Sequence, residues 1–179
     1  MTDLATLRLR ITPTPTPLFG RNLRKAIGKY RWWKIRDAIV EEDGPVCEMC
    51  GARPEARTEI HGHEVWAYDT SASPAVARLC RITLHCWKCH GVEHYLLSAK
   101  LAAMGYVGQQ RQIIEHFCAV NDVDEEVFDQ HLSEAMAAWL PLCDVEWTVD
   151  YGDYANVLSV REAAQAKWRS DRERRQALR

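Results

Sequence analysis

Four cysteines are spaced so that they can act together. Cys47 and Cys50 form one C-x-x-C turn, Cys86 and Cys89 form a second, and thirty-five residues separate the two. Two such turns can present four thiolates tetrahedrally to zinc, in a closed structural site that leaves no position for substrate. Four sulfurs by themselves also suit iron. In either case the site is a staple, because metal-binding free energy is folding free energy. It would fix a small hairpin and anchor the start of the next helix. Cys80, Cys118 and Cys143 lie outside the pairs and read as small apolar or surface thiols.

Five of the seven histidines crowd into the same stretch: His61, His63, His85, His90 and His94. His90 and His94 are four apart on an expected helix and share a face, which lets two imidazoles approach one ion. His61 and His63 alternate on an expected strand and point to the same side. A second, histidine-rich cation site beside the cysteine staple follows from this spacing. His85, next to the second C-x-x-C turn, reads as a structural histidine.

The pieces CEMCG, HGHEVW and LHCWKCHGVEH, in that order over roughly residues 45–95, resemble the HNH endonuclease family. The HEVW stretch followed by CxxCH is most similar to a bacterial and phage branch in which the second histidine of the opening pair is replaced by Glu. The resemblance implies an α+β fold, a zinc-stapled ββα-metal (HNH/His-Me finger) core embedded in a mainly helical single domain. It implies metal-dependent hydrolysis of DNA phosphodiester bonds. In that reading His63 is the general base, His90 the closing histidine of the signature and His94 an additional helix ligand, while Glu64 binds metal or orients an imidazole. His61 joins His90 and His94 as a ligand of the catalytic cation, which is Mg2+, Mn2+, Ni2+ or Zn2+; base and ligand can exchange between His61 and His63. The chemistry is coherent, because a near-neutral imidazole can take a proton from water while a cation offsets charge on the phosphate. Family members carry an asparagine a few residues before the second C-x-x-C. This chain has Arg81 near that position, where it can bind phosphate instead. The competing expectation is a non-catalytic zinc-stabilised module that binds DNA or protein.

The elements that must position these groups can be read from pattern. Residues 1–20 include ITPTPTPLFG, whose alternate prolines predict an extended lead-in. Residues 21–44 predict a basic helix, from Asn22 to about Glu42, with Leu23, Ile27, Tyr30, Ile35 and Ile39 on its apolar side. Trp32 and Trp33 are adjacent, so one belongs in the core and the other outside. Residues 45–95 hold the finger, with strands near Glu59–Tyr68 and Ala77–Leu84 and a helix after His90. Residues 96–141 form a helical extension, with a short helix over 109–120 and a last helix capped at Asn121 or Asp122 and stopped by Pro141. Residues 142–179 close with a strand or turn and a basic helix.

The net charge of −2 conceals segregation along the 179 residues. Residues 1–36 carry nine Lys or Arg against one acid, and residues 168–179 five against two, whereas residues 37–160 carry seven against twenty-one acids. Nucleic-acid contact is therefore expected from the ends, through Lys25, Lys29 and Lys34 and through Arg172 and Arg175, with Arg81 as a local exception. DNA is the expected partner, and the C-terminal helical half offers a surface for a protein partner. An odd cysteine count with no signal-like or membrane-spanning stretch points to a reducing, cytoplasmic setting.

Overall fold

A computed structural model of the chain describes residues 4–56, 59–105 and 107–156. The fold is mixed α+β. Helices α1 (Leu23–Ile27) and α2 (Lys29–Asp43) precede strands β1 (Ile60–Asp69) and β2 (Ala75–Cys86). Helices α3 (Trp87–Glu93), α4 (Tyr95–Ala103), α5 (Val107–Asn121) and α6 (Glu125–Trp139) follow, and strand β3 (Trp147–Asp150) completes the sheet. β1 and β2 pair antiparallel, and β3 adds parallel to the other edge of β2.

The single basic helix expected over residues 22–42 is two helices. Gly28 lies between them at φ 84°, a left-handed conformation that glycine adopts without a Cβ penalty. Asn22 caps α1, its side chain accepting from Lys25 N. Trp32 is buried and Trp33 exposed, but Tyr30, expected on the apolar side, is 69% exposed. Farther on, α6 is capped by Asp124, which accepts from Val127 N, not by Asn121 or Asp122. Asn121 is instead committed to the lead-in: its Oδ1 accepts from Arg8 N and Leu9 N, and its Nδ2 donates to the Leu9 carbonyl. α6 ends at Trp139, just before Pro141 as expected, and a short 3-10 turn follows over Leu140–Asp144.

The proline-rich lead-in has no long element, as its composition dictates, yet it is part of the core. Leu4, Leu7, Leu9 and Ile11 are buried with Val40, Ile60, Leu84, Val92, Phe117 and Phe128. A second cluster holds Leu23, Ile27, Trp32, Leu79 and Ile82. Trp32 packs against β1 at Gly62, where an added Cβ would come within 2.9 Å of the indole.

Register decides what the hairpin presents. Directly paired residues share a face of the sheet, so Ile60 and Cys86, Gly62 and Leu84, and Glu64 and Ile82 belong to one face, while His61 and His85, and His63 and Thr83, belong to the other. Residues 82–86 of β2 are all buried, because the hairpin is covered on both sides at this end.

Candidate metal centre

The end of the hairpin carries sulfur on one face and imidazole on the other, and α3 joins the two. Cys47 and Cys50 lie in a tight turn before β1, closed by Gly51 N donating to the Cys47 carbonyl and Cys47 N donating to the Ala52 carbonyl, each 2.8 Å. Gly51 takes φ 77° to complete it. Glu48 N donates to the Leu84 carbonyl at 2.8 Å and fixes this turn to β2. Cys86 ends β2 and caps α3, and Cys89 lies within the first turn of that helix. All four sulfurs fall within 4.8 Å of one another. Three of the four residues are buried. Hydrogen bonds from the Cys86 and Cys89 thiols hold the Cys47 thiol far below the usual range. The same contact with Cys47 pushes Cys86 up to about 11 and Cys89 well above its ordinary value. A buried group of thiols that already favours one thiolate fits a zinc ion. His116 on α5 adds a partner that the spacing did not reveal, its Nε2 standing 3.1 Å from Cys89 Sγ.

On the opposite face, nitrogen atoms of His63, His90 and His94 lie within 4.8 Å of one another. His63 comes from the middle of β1. His90 and His94 come from one face of α3 and the residue that caps its end, where His94 N donates to the His90 carbonyl. Burial, and then the imidazoles of His94 and His63, push His90 down to about 2. Burial and His63 bring His94 down to about 4. Both rings are therefore neutral at physiological pH, with lone pairs available, and the three nitrogens fit a divalent cation. The cluster borders a cleft of about 550 Å³ lined also by Arg21, Arg24, Trp66 and Leu97.

The remaining sequence candidates sit elsewhere. His61 stacks on His90 with ring centroids 5.3 Å apart but is not among the grouped donors. Glu64 lies on the other face of β1 by strand parity, and its carboxylate accepts from Leu23 N, Arg24 N and Trp66 Nε1 at 3.0–3.2 Å. It satisfies the first N–H groups of α1. Burial raises its pKa and these donors oppose the rise. Arg81 pairs with Glu48 at 2.6 Å near the cysteine turn, on an exposed part of β2. By register Arg81, paired with Val65, shares the face of His63 with Thr83 and His85, but its guanidinium is engaged by Glu48. Lys25, Lys29 and Lys34 are exposed on α1 and α2, Lys29 over the Trp33 ring and Lys34 over Tyr30. Arg172 and Arg175 lie outside the described residues.

Glu93, which the sequence pattern does not single out, and His85, which it gives as a structural histidine, are central here. Glu93 Oε2 is 2.7 Å from His63 Nε2 and 3.1 Å from His85 Nδ1. Burial pushes the Glu93 carboxyl up, but the two imidazoles beside it outweigh burial and hold it at about 2. A glutamate three residues after His90 was visible as a helix neighbour; its burial against two imidazoles depends on tertiary packing.

Comparison with family models, curated proteins and solved structures gives no significant match. No helix among the described residues is long and apolar enough to cross a membrane.

Proposed function

We propose that the chain is a metal-dependent HNH-like endonuclease that hydrolyses DNA phosphodiester bonds. The observation that carries this reading is the convergence of His63, His90 and His94 at a cleft, beside a four-cysteine cluster. The consecutive β1, β2 and α3 then act as a ββα-metal finger stapled by zinc. His63 accepts a proton from the attacking water, with the Glu93 carboxylate 2.7 Å from its Nε2. His90 and His94 would hold a divalent cation, which when bound would supply Lewis-acid stabilisation of charge on the phosphate oxygens. Thr83 and His85, on the same face of β2 as His63, support the imidazole where the resembling family uses asparagine. Arg81 is left for the zinc turn through Glu48.

The basic first helices supply the grip on DNA. Lys29 and Lys34 stand beside the exposed rings of Trp33 and Tyr30, so charge and aromatic surface are interleaved on α2. Such contacts position a duplex through its phosphates and carry little sequence information.

The test is conversion of supercoiled plasmid with Mg2+, Mn2+ or Ni2+, comparing the wild type with His63→Ala and His90→Ala. Removal of a general base lowers cleavage by about 10²–10⁴-fold, with zinc content and melting retained. Metal-dependent nicking that survives both substitutions defeats the proposal. DNA binding without cleavage by the wild type would leave the non-catalytic zinc-stabilised module.

A further inference from the structure

The geometry points to a second cation position, buried behind the cleft and formed by His63, His85 and Glu93. This goes beyond the nuclease reading and does not depend on it. All three residues are almost enclosed, with 6%, 2% and 8% of their surface exposed, and their donor atoms lie within 4.8 Å of one another. They come from three consecutive elements, so the corner closes only when β1, β2 and α3 are assembled.

The contacts within this corner have the spacing of ligands sharing an ion. Glu93 Oε2 approaches His63 Nε2 to 2.7 Å and His85 Nδ1 to 3.1 Å. Neither approach has the angles of a hydrogen bond: Glu93 Oε2 and His85 Nδ1 are both buried without a hydrogen-bond partner among the described residues. A buried carboxylate oxygen in that condition is costly unless positive charge meets it. Donors that share a cation do not point at each other; they point at the ion and meet along the edges of its coordination shell. With arms of about 2.1 Å, the edge of an octahedron is about 3 Å, close to both distances.

His85 is held for this role from its other side. Its Nε2 lies 3.0 Å from Thr83 Oγ1, which fixes the ring and leaves Nδ1 facing Glu93. A ligating histidine whose second nitrogen is held by a neighbour is the usual arrangement around protein-bound metals. The backbone of Glu93 is held as well, since Thr12 N donates to its main-chain carbonyl at 3.2 Å, tying the end of α3 to the lead-in.

Two imidazole nitrogens and one carboxylate select a first-row dication, Mn2+, Fe2+, Co2+ or Zn2+, over Mg2+ or Ca2+, which prefer all-oxygen shells. His63 borders both this corner and the His90–His94 group. An imidazole that binds through Nε2 keeps its proton on Nδ1, so filling the inner corner withdraws His63 as a base.

Cobalt(II) is the probe, added to full-length protein whose cysteine site is already loaded with zinc. In crystals grown with Co2+, anomalous scattering at the cobalt edge is expected to place a peak within about 2.3 Å of His63 Nε2, His85 Nδ1 and a Glu93 oxygen. In solution, Glu93→Gln should bind one equivalent of Co2+ fewer, or at least tenfold more weakly, with its cysteine-bound zinc unchanged. Cobalt peaks confined to the cysteines and the His90–His94 group overturn the inference, and so does a folded Glu93→Gln protein that binds Co2+ as the wild type does. If Glu93→Gln fails to fold, the wild-type crystal decides alone. The readout is metal position, so an inactive nuclease leaves this result standing, and a missing inner peak leaves the nuclease reading standing.

Discussion

Glu93 on α3 meets His63 on β1 at 2.7 Å, and through that contact the helix carrying Cys89 is fastened to the strand carrying the imidazole cluster. The hairpin end is thereby pinned twice by one helix of seven residues. The four-cysteine cluster lies at its start on one face of the sheet, and Glu93, His90 and His94 lie at its end on the other. A helix this short has little stability of its own, so the two clusters share one support. Loss of the cysteine staple must therefore also loosen the histidine group.

That coupling gives the first prediction. Zinc bound by four cysteines contributes on the order of 10–16 kcal/mol in small zinc-dependent folds, comparable to or larger than the whole stability of a typical domain. Cys47→Ala is expected to lose the bound zinc and to abolish the cooperative thermal transition, measured by metal analysis and circular dichroism. A Cys47→Ala protein that melts cooperatively at the wild-type temperature would show that the cluster is not a staple.

Acid should weaken the fold through the histidines. His94 is held at about 4 and His90 at about 2 in the folded chain, against about 6.5 when unfolded. Folded values below the unfolded ones mean that the unfolded chain binds more protons. The stability is present above about pH 6.5 and is lost as pH falls through 4 and toward 2. Each ring contributes up to about 1.4 kcal/mol per pH unit over its window. Urea unfolding of protein carrying zinc only at the cysteines should give a midpoint that falls from pH 7 to pH 5. His94→Gln should flatten that fall, and an identical slope in the variant would count against the assignment.

The division between what the sequence made legible and what it did not follows physical range. The C-x-x-C pairs, the two strands and the periods of α5 and α6 are local patterns, and the coarse α+β architecture with a clustered cysteine site follows from them. The break at Gly28 was readable in principle, since a glycine inside a helical pattern is a weak point, but the period of Leu23, Ile27 and Ile35 runs through it. Burial of Leu9 and Ile11 was not readable, because an extended segment has no helical or strand period to reveal its inner face. Glu93 and His85 acquire their significance only from contact across three elements. Glu64 could have been separated from His63 by strand parity alone, since adjacent strand residues face opposite ways.

Glu64 accordingly carries the third prediction. Its carboxylate receives Leu23 N, Arg24 N and Trp66 Nε1, while Asn22 caps Lys25 N, so the N-terminus of α1 is satisfied by two side chains acting together. Glu64→Ala removes the larger share. By analogy with lost helix caps, the cost is about 1–2 kcal/mol, read as a lowered urea midpoint. Metal content should match the wild type. A Glu64→Ala protein of unchanged stability that binds fewer cations would return Glu64 to the ligand role.

His116 extends the four-cysteine cluster beyond its sulfurs. Its Nε2 lies 3.1 Å from Cys89 Sγ, and burial, followed by the charge of Lys88, lowers its pKa, so the ring is neutral. Where zinc holds Cys89 as a thiolate, the tautomer with its proton on Nε2 donates to the sulfur and spreads its negative charge. Partners of this kind, one step outside the ligands, typically change metal affinity by about 10–100-fold. His116→Ala should therefore release zinc to a competing chelator at correspondingly lower chelator concentration, while His116→Gln, whose amide can still donate, should recover part of the loss. The helical surface of α5 is expected to persist in both, because Ile113 and Phe117, not His116, make its buried contacts. Equal zinc affinity in wild type and His116→Ala would mean that the contact with Cys89 is packing alone.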